Sequence, residues 1–439
     1  MGRDVARLPA EARRRRVRFG LVVNPVAGIG GRVGLKGSDG AEVQRRALEL
    51  GAVPLASARA GVALTELVAR LGSRSCPVDL FPAARGPAAA SPRCAHAPIQ
   101  HRDGDACAPC ETTPGSPLAT EKIHGTRPPT VLTAAGPMGE EAARAAGLEP
   151  EVVYRPESAP TSAADTVAAA ATLAGAVDLI LFAGGDGTAR DILDAVGTGV
   201  PVLGIPTGVK MHSAVFAVNP RAAGEIAASF SGLRDAEVMD LDEDAVREGR
   251  VSARLYGHLR VPDVPVRIQQ RKTGSSSVSP DAVAGIAAEL VDSLAPGELL
   301  VLGPGTTMRS IAAVLGVDVP VMGVNVLRLT DNRTAGLVAS DVSADRLLAL
   351  VSATPARIAV TPIGGQGFLL GRGNQQLSPD VLRAVGPDRV LVVATEAKVA
   401  ALRGRPLLID TGDDGVDREF QRYLRVVTGR RRTLLYPTS

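Results

Sequence analysis

The sequence contains little lysine, few aromatic residues and no long apolar run. Tryptophan is absent from the 439 residues, aromatic residues make up 3%, and lysine occurs at five positions. No window approaches the ~18 unbroken apolar residues of a membrane-spanning helix. The apolar stretch that follows Arg13 to Arg16 is about five residues long, whereas a secretory leader needs ~7 to 15. We therefore expect a soluble, cytoplasmic protein with no membrane partner.

The charge balance is nearly even. Lysine and arginine total 49 against 46 acidic residues, which gives a net charge of +3. A charge so small and so scattered does not predict a nucleic-acid partner. Apolar residues make up 45% of the chain, enough to fill the cores of two or three domains.

Short apolar strands alternate with helices over residues 17–235, a pattern that predicts a doubly wound parallel sheet. We therefore expect residues 1–235 to form a Rossmann-like α/β nucleotide-binding domain. One of these predicted helices is "VKMHSAVFAV", 209–218. Residues 236–439 are strand-rich and mixed, so we expect a β-rich α+β second domain. Its last strands could pair in its own sheet or return to the first domain.

Residues 75–130 break this alternation and read as an insertion, because they are rich in Pro, Ala and Ser without strand or helix periodicity. All four cysteines of the chain lie here. Thiolate and imidazole groups at short spacing suit a tetrahedral zinc site. The alternative is an insertion that binds no metal. The candidate zinc ligands are Cys94, His96, Cys107 and Cys110.

A glycine-rich loop, "NPVAGIGGRVGLKGSDG", follows the first predicted strand. It is neither standard phosphate motif, because GxGxxG meets Val33 and the P-loop pattern meets Leu35 at the required glycines. Glycines after an Asn-Pro turn can still present consecutive backbone N–H groups to an anion. The alternative is a flexible connection to the first helix. The candidate phosphate-binding residues are Asn24, Gly28, Gly30, Gly31 and Lys36.

A second motif, "FAGGDGTARD", places an aspartate between a buried strand and a helix. The helix N-terminus favours phosphate, whereas a carboxylate would repel it unless it binds Mg²⁺ or an attacking hydroxyl. Asp186 is therefore the candidate catalytic residue, and the alternative is a plain N-cap. The phosphate-lining candidates are Gly184, Gly185, Gly187 and Thr188.

Together, "NPVAG" and "GGDGT" resemble motifs of the NAD kinase and diacylglycerol kinase superfamily. The resemblance extends to four further segments, "GIPTGVKMHSAVFAVNPRAAG", "LGPGTT", "TPIGGQGFLLGRGNQQLSP" and "RPLLIDTGD". Nearly the whole chain outside 75–130 therefore resembles the ATP-NAD kinase family, in the branch of the acetoin-catabolism X protein. The resemblance implies a nucleotide domain and a β-rich second domain. It also implies Mg²⁺-dependent transfer of phosphate from ATP to the adenosine ribose 2′-hydroxyl of NAD, giving NADP, and assembly into a homo-oligomer.

The resemblance implies that Asp186 holds or deprotonates the adenosine ribose 2′-hydroxyl of NAD. Lys210 would neutralise phosphoryl charge, or would be a solvated turn lysine. His212 would take part in catalysis, or would be a capping or buried histidine. The residues that the resemblance adds to the nucleotide site are Thr207, Gly208, Lys210, His212 and Ser213, with Gly303, Gly305, Thr306 and Thr307 of "LGPGTT".

The sequence departs from the NAD kinases in the second domain. The Asn-Glu or Asn-Asp pair that grips the NAD adenosine, and a "TGSTAY"-like run near it, are not clearly present. The acceptor could therefore be another small hydroxyl-bearing metabolite, linked to acetoin catabolism. A non-catalytic, nucleotide-binding regulatory protein is a third possibility.

Overall fold

The computed structural model of this protein describes residues 17–35, 41–73, 128–208, 211–241, 253–264, 279–330, 334–364 and 366–439. Several residues singled out in the sequence lie outside these ranges. They are the phosphate-binding candidates Lys36 and Lys210, and the zinc candidates Cys94, His96, Cys107 and Cys110.

The first sheet has five parallel strands in the order β3-β2-β1-β4-β5. Each strand is a short apolar run, and β4 is buried along its whole length. The strands are β1 (Arg18–Val23), β2 (Thr130–Ala134), β3 (Glu151–Tyr154), β4 (Leu179–Gly184) and β5 (Val202–Pro206). The predicted parallel sheet is confirmed.

Helices connect these strands. Helix α4 begins with a capping box between Ser162 and Asp165, and α6 begins at a proline behind the N-cap Asn219. The helices are α1 (Ala41–Glu49), α2 (Ala56–Gly72), α3 (Glu140–Ala145), α4 (Ala163–Ala174), α5 (Asp186–Val196) and α6 (Pro220–Ser229).

The chain changes direction across the sheet at β1. It leaves β1 for β2 on one side, and later enters β4 on the other side of β1. The loops at the carboxyl ends of β1 and β4 therefore diverge and leave a crevice, which is where α/β sheets bind their ligands. These loops begin at Asn24 and Gly185.

A hairpin of β6 (Leu233–Leu241) and β7 (Ala253–Pro262) follows the first sheet. Its buried residues, among them Val238 and Leu259, belong to the core of the first sheet. The domain boundary at 235 stays a prediction; it falls inside β6, and the hairpin packs with the first domain.

The second sheet has seven strands in the order β10-β9-β8-β11-β13-β15-β16. Its centre, β8-β11-β13-β15, is parallel, and the outer strands are antiparallel. The last strands therefore pair within the second sheet. The strands are β8 (Leu299–Leu302), β9 (Asn325–Leu329), β10 (Ala335–Ala339), β11 (Ala356–Val360), β13 (Val390–Val393), β15 (Tyr423–Gly429) and β16 (Arg432–Pro437).

A small two-stranded sheet of β12 (Phe368–Leu370) and β14 (Leu408–Ile409) accompanies the larger one. The helices of this half are α7 (Pro280–Ser293), α8 (Thr306–Val314), α9 (Ala344–Ala353), α10 (Pro379–Val385), α11 (Glu396–Ala400) and α12 (Asp414–Phe420). The predicted α/β fold with a β-rich second half is confirmed.

A buried ion-pair network joins the two halves. Asp410, which follows β14, pairs with Arg372 and with Arg59 of α2. Arg59 Nε also donates to the Pro206 carbonyl at 2.5 Å, and Arg372 donates to the Val218 carbonyl at 3.2 Å. Burial lowers the pKa of Arg372. Burial also tends to raise the pKa of Asp410, but the two guanidinium groups outweigh it and hold that pKa below its ordinary value.

The predicted helix over 209–218 is wrong within the described residues 211–218. Residues 211–213 have no regular secondary structure, turns follow, and Phe216 forms a bridge with Gly204 of β5. The Phe216 ring lies so close to Gly204 that a Cβ there would be 2.3 Å from it. Apolar residues that suggest a helical face instead pack a non-helical segment against the first sheet.

Candidate active site

The two glycine motifs meet through Asn24. Its side-chain amide donates to the Thr188 hydroxyl at 3.0 Å, and its backbone N–H donates to the Ala183 carbonyl at 2.9 Å. Its side-chain oxygen accepts the N–H of Val26 at 3.2 Å. The asparagine thus fixes the turn that starts the first loop and ties that turn to the helix of the GGDGT motif.

Glycines allow three loops to touch backbone to backbone beside this contact. Gly28 has a φ of +76°, and a Cβ there would lie 1.9 Å from the Thr207 carbonyl oxygen. A Cβ on Gly208 would lie 2.9 Å from the Cα of Gly185. Side chains at these positions would push the loops apart. The glycines therefore permit close contact between loops of this protein itself.

Gly30 and Gly31 continue the first loop, and both are buried. The Gly30 carbonyl accepts the N–H of Leu35 at 2.9 Å, and the Gly31 N–H donates to Gly28 at 3.2 Å. Tight turns close the loop on itself. Binding of phosphate by these glycines stays a prediction.

Asp186 begins α5 and is 8% exposed. Its two carboxylate oxygens accept backbone N–H groups from the segment after β5, from His212 at 2.7 Å and from Ser213 at 3.0 Å. The Ser213 hydroxyl accepts the N–H of Met239 in turn, at 2.9 Å. Asp186 therefore holds this segment in place.

Two buried polar side chains beside Asp186 have no hydrogen-bond partner among the described residues. They are Thr207, whose hydroxyl is unpaired, and His212, whose two ring nitrogens are both unpaired. The side chains are 9% and 4% exposed. The Nδ1 atom of His212 lies 3.4 Å from the nearer Asp186 oxygen. Unsatisfied buried polar groups are costly, so Thr207 and His212 are candidates for contact with a ligand.

The second half of the chain contributes the opposite wall. Gln366, in the loop after β11, donates to the Met211 carbonyl at 2.8 Å, next to His212. The N–H of Ala344, at the start of α9, donates to the Arg32 carbonyl of the first loop at 3.0 Å. The loops at the carboxyl ends of the two sheets thus contact one another.

The "LGPGTT" motif lies at this edge of the second sheet, between β8 and α8. Gly303 is packed against β11, Gly305 has a φ of +124°, and Thr306 is exposed. Thr307 is buried and its hydroxyl receives a long contact of 3.5 Å from Lys398. Lys398 also donates to Thr361 at 2.9 Å. The ends of β8, β11 and β13 therefore bring together an ammonium group and two hydroxyls.

Sequence reasoning missed Lys398, Thr361 and Gln366. One signal was available for the lysine, which is one of five in an arginine-rich chain and follows a buried strand. Thr361 begins "TPIGGQG" directly after β11. No local pattern marks Gln366, because its partner Met211 lies far away along the chain.

A cavity of about 380 Å³ lies elsewhere. It is lined by residues at the starts of β11, β13 and β15, including Arg357, Val390 and Tyr423. These are the amino ends of parallel strands, so the cavity is on the side of the second sheet opposite to the crevice.

Comparison with protein families identifies both halves. The ATP-NAD kinase N-terminal domain matches residues 126–234, and the ATP-NAD kinase C-terminal domain matches residues 297–438. Together these matches span more than half of the chain. The chain belongs to the ATP-NAD kinase family. Comparisons with curated proteins and with solved structures found no match.

The family domains map onto the two walls of the crevice. The N-terminal match contains the GGDGT motif, Thr207 and His212, whereas the first loop lies before it. The C-terminal match runs from before β8 to the end of β16, and includes "LGPGTT" and Lys398. The family domains make this ATP-NAD kinase chain a kinase-type phosphotransferase.

The ATP-NAD kinase family implies a divalent metal. Within the residues that the structure describes, no three histidine, cysteine or acidic side chains gather into a metal-binding group. Both Asp186 oxygens are already engaged by N–H groups. Mg²⁺ keeps several waters and needs few protein ligands, and its binding on the nucleotide phosphates stays a prediction. No helix among the described residues is long and apolar enough to span a membrane.

Proposed function

We propose that this protein is an ATP- and Mg²⁺-dependent NAD kinase that phosphorylates the adenosine ribose 2′-hydroxyl of NAD and forms NADP. The observation that carries the proposal is the group of unpaired, buried polar atoms on Thr207 and His212 beside Asp186. It lies at the switch point of the first sheet, in a chain of the ATP-NAD kinase family.

In this proposal the first sheet binds the reacting groups. The loops that begin at Asn24, Gly185 and Thr207 form a wall of closely packed backbone around Asp186. The N-terminus of α5 adds a partial positive charge that favours phosphate. Bound Mg²⁺ would neutralise phosphate charge and polarise the transferred group.

The second sheet supplies a cation. Lys398 places its positive charge beside the Thr307 and Thr361 hydroxyls, where it would attract an anionic group of the nucleotide or of the acceptor. NAD carries a pyrophosphate as well as the reacting hydroxyl, so a dinucleotide can use both walls. This use of both walls favours NAD over a small uncharged alcohol.

Incubation with ATP, Mg²⁺ and NAD tests the proposal. We expect NADP and ADP in equal amounts, measured with an NADP-specific dehydrogenase and by chromatography. A parallel panel of small hydroxyl-bearing metabolites, including acetoin-derived alcohols, serves as the comparison. Phosphorylation of one of these in place of NAD would favour the second acceptor class. A rise in melting temperature with nucleotide, but no transfer to any acceptor, would favour a regulatory binding protein.

Three broader expectations accompany the proposal. Assembly into a homo-oligomer is tested by light scattering on the full chain. The branch of the acetoin-catabolism X protein would be supported by activity on an acetoin-linked acceptor. A cytoplasmic location is tested by cell fractionation.

A further inference from the structure

The cavity of about 380 Å³ in the second half lies where α7 ends over the sheet. Ser293 lines it from the last turn of α7. Tyr423, Arg425 and Val427 line it from β15, and because they alternate along the strand they share one face of it. Val427 is buried in the core that α7 covers, whereas Tyr423 and Arg425 are exposed. The cavity therefore opens where the helix stops and leaves the first residues of β15 uncovered.

The floor of the cavity is apolar. Leu290 and Val427 are buried there, and Leu391 packs against the same core. Tyr423, which is 69% exposed, adds an aromatic ring at the rim. An apolar lining with a few polar groups is typical of small-molecule sites, and 380 Å³ is near the lower end of their range of about 300–1,000 Å³. The cavity therefore suits a ligand of one or two rings, smaller than a dinucleotide.

Positive charge predominates at the rim. The described residues that line the cavity include three arginines and two acidic residues. Arg357 pairs with Glu298 at 3.0 Å, and Arg422 pairs with Asp388 at 2.9 Å. Arg425 forms no ion pair with any residue that the structure describes. An anion at the cavity would therefore meet a guanidinium group that no carboxylate already neutralises.

A cation has no comparable partner at this cavity. Glu289 already accepts the backbone N–H of Arg431 at 2.9 Å, and Asp388 is already ion-paired. The Leu290 carbonyl, in the last turn of α7, accepts the Ser293 hydroxyl at 2.7 Å. The acceptors that could hold a cation are thus engaged within the protein, so the cavity favours an anionic ligand.

The cavity and the crevice lie at opposite ends of the same strands. Arg357 is at the start of β11, and Thr361 follows the end of that strand. A strand of five residues is about 16 Å long at ~3.3 Å per residue. A small ligand in the cavity therefore does not reach the Thr361 and Lys398 edge, and both places can be occupied together.

We propose that this cavity is a binding site for a small aromatic anion, a ligand with one or two flat rings and a carboxylate or phosphate group. The Arg425 guanidinium group donates to the anionic group, and the ring lies on the apolar floor beside Tyr423. Aromatic side chains and guanidinium groups both stack on flat rings. The site goes beyond the proposed kinase function, because its ligand is neither ATP nor NAD.

Calorimetric titration of the full chain tests the proposal. 1-Naphthyl phosphate and 1-naphthoate carry the two kinds of anionic group, and 1-naphthol is the neutral control. We expect at least one of the anions to bind in a one-to-one ratio, and 1-naphthol to bind weaker by about tenfold or more, because it has no charge for Arg425. The tighter anion identifies the preferred group. Equal affinity for the neutral compound, or no binding of either anion, would overturn the proposal.

Two variants test whether the anion lies in the cavity. Arg425→Gln should weaken its binding by about tenfold or more and leave the melting temperature unchanged, because the side chain is exposed. Ser293→Phe, which fills the cavity, should abolish binding. Arg260→Gln is the matched control, since Arg260 is also exposed on a strand, β7, and forms no ion pair with the described residues. Wild-type affinity in folded Arg425→Gln would refute the site.

Saturation with ATP, Mg²⁺ and NAD separates the cavity from the crevice. We expect the affinity for the bound anion to remain unchanged, because the two places lie at opposite ends of the second sheet. Displacement of the anion by ATP or NAD would show that it binds in the crevice and would refute a separate site. Since binding is measured without turnover, failure of this site and failure of the kinase function are observed separately.

Discussion

The carboxyl ends of the two sheets differ in what they bring together. At the first sheet, backbone packs against backbone, and the polar groups are a carboxylate, an imidazole and a hydroxyl in a buried crevice. At the second sheet, the ammonium group of Lys398, a partly exposed residue, contacts the hydroxyls of Thr307 and Thr361. In the proposed reaction, the carboxyl end of the first sheet, the first edge, has the groups for proton transfer. The carboxyl end of the second sheet, the second edge, has the group for holding negative charge.

The comparison predicts that changes at the first edge abolish turnover and that changes at the second weaken binding. The buried ion pairs of Asp410 should in turn determine whether the edges face each other at all. Four substitutions test this division, in decreasing order of expected effect.

Asp186→Asn should have the largest effect. An amide cannot accept both N–H groups as a carboxylate does, nor can it take a proton from an attacking hydroxyl. We expect kcat to fall by about 10²- to 10⁴-fold, the range for loss of a group that transfers a proton. NADP formation is the measurement, with circular dichroism as the check on the fold. Asp194→Asn, at an exposed position of the same helix, should retain activity.

Asp410→Asn should lower the free energy of unfolding by about 3–5 kcal/mol, because it leaves two buried guanidinium groups without their counter-ion. Asp388→Asn is the control. Asp388 pairs with Arg422 at the surface, and its loss should change stability by about 0–1 kcal/mol. Denaturant titration of both variants measures the difference, and equal effects would contradict a central role for the buried pairs.

The same aspartate should contribute to acid denaturation. The pKa of Asp410 is lower in the folded protein than in the unfolded chain, so its stabilising contribution is present at neutral pH. It is lost as the pH falls through the lowered pKa. Asp410→Asn should therefore lose less stability than the wild type on acidification.

Gly28→Ala tests the close packing at the first edge. The left-handed φ alone should reduce stability by about 1–2 kcal/mol. The overlap of a Cβ with the Thr207 carbonyl adds to this and should displace the loop. Gly147→Ala is a matched control, since Gly147 has a φ of +75° and no atom within 4 Å of its virtual Cβ. If both variants lose the same stability and activity, close contact of the loops is unimportant.

Lys398→Met tests the second edge and should have the smallest effect. We expect KM for the anionic substrate to rise by about tenfold, equivalent to about 1.4 kcal/mol, while kcat changes by less than about threefold. Lys398→Arg, which keeps the charge, should recover part of the binding. A large loss of kcat with unchanged KM would place the lysine in the chemistry and would break the division between the edges.

Local patterns predicted the elements that carry the first motif. The buried run before Gly184 and the amphipathic stretch after Asp186 gave β4 and α5 their types, because strand burial and helix periodicity are local properties. The same reasoning failed at 209–218. There, contacts of Phe216 with Gly204, and of Asp186 with the backbone of His212, outweigh helical propensity.

Residues that meet across long stretches of chain were less predictable. Thr307, Thr361 and Lys398 come from three strands of one sheet, and no spacing rule links them. The sequence also predicted only part of the role of Gly28. A glycine-rich loop predicts close approach, but not that the Thr207 carbonyl is the approaching group.

The sequence alone determined the alternation of strands and helices, the glycine motifs and their resemblance to the ATP-NAD kinases, because these are set by local composition and spacing. Only the tertiary structure decided that Asp186 holds two backbone N–H groups and that His212 is buried unpaired beside it. Only the structure brought Lys398 to the second edge. Burial and hydrogen-bond satisfaction depend on which distant segments pack together, and that depends on the whole fold.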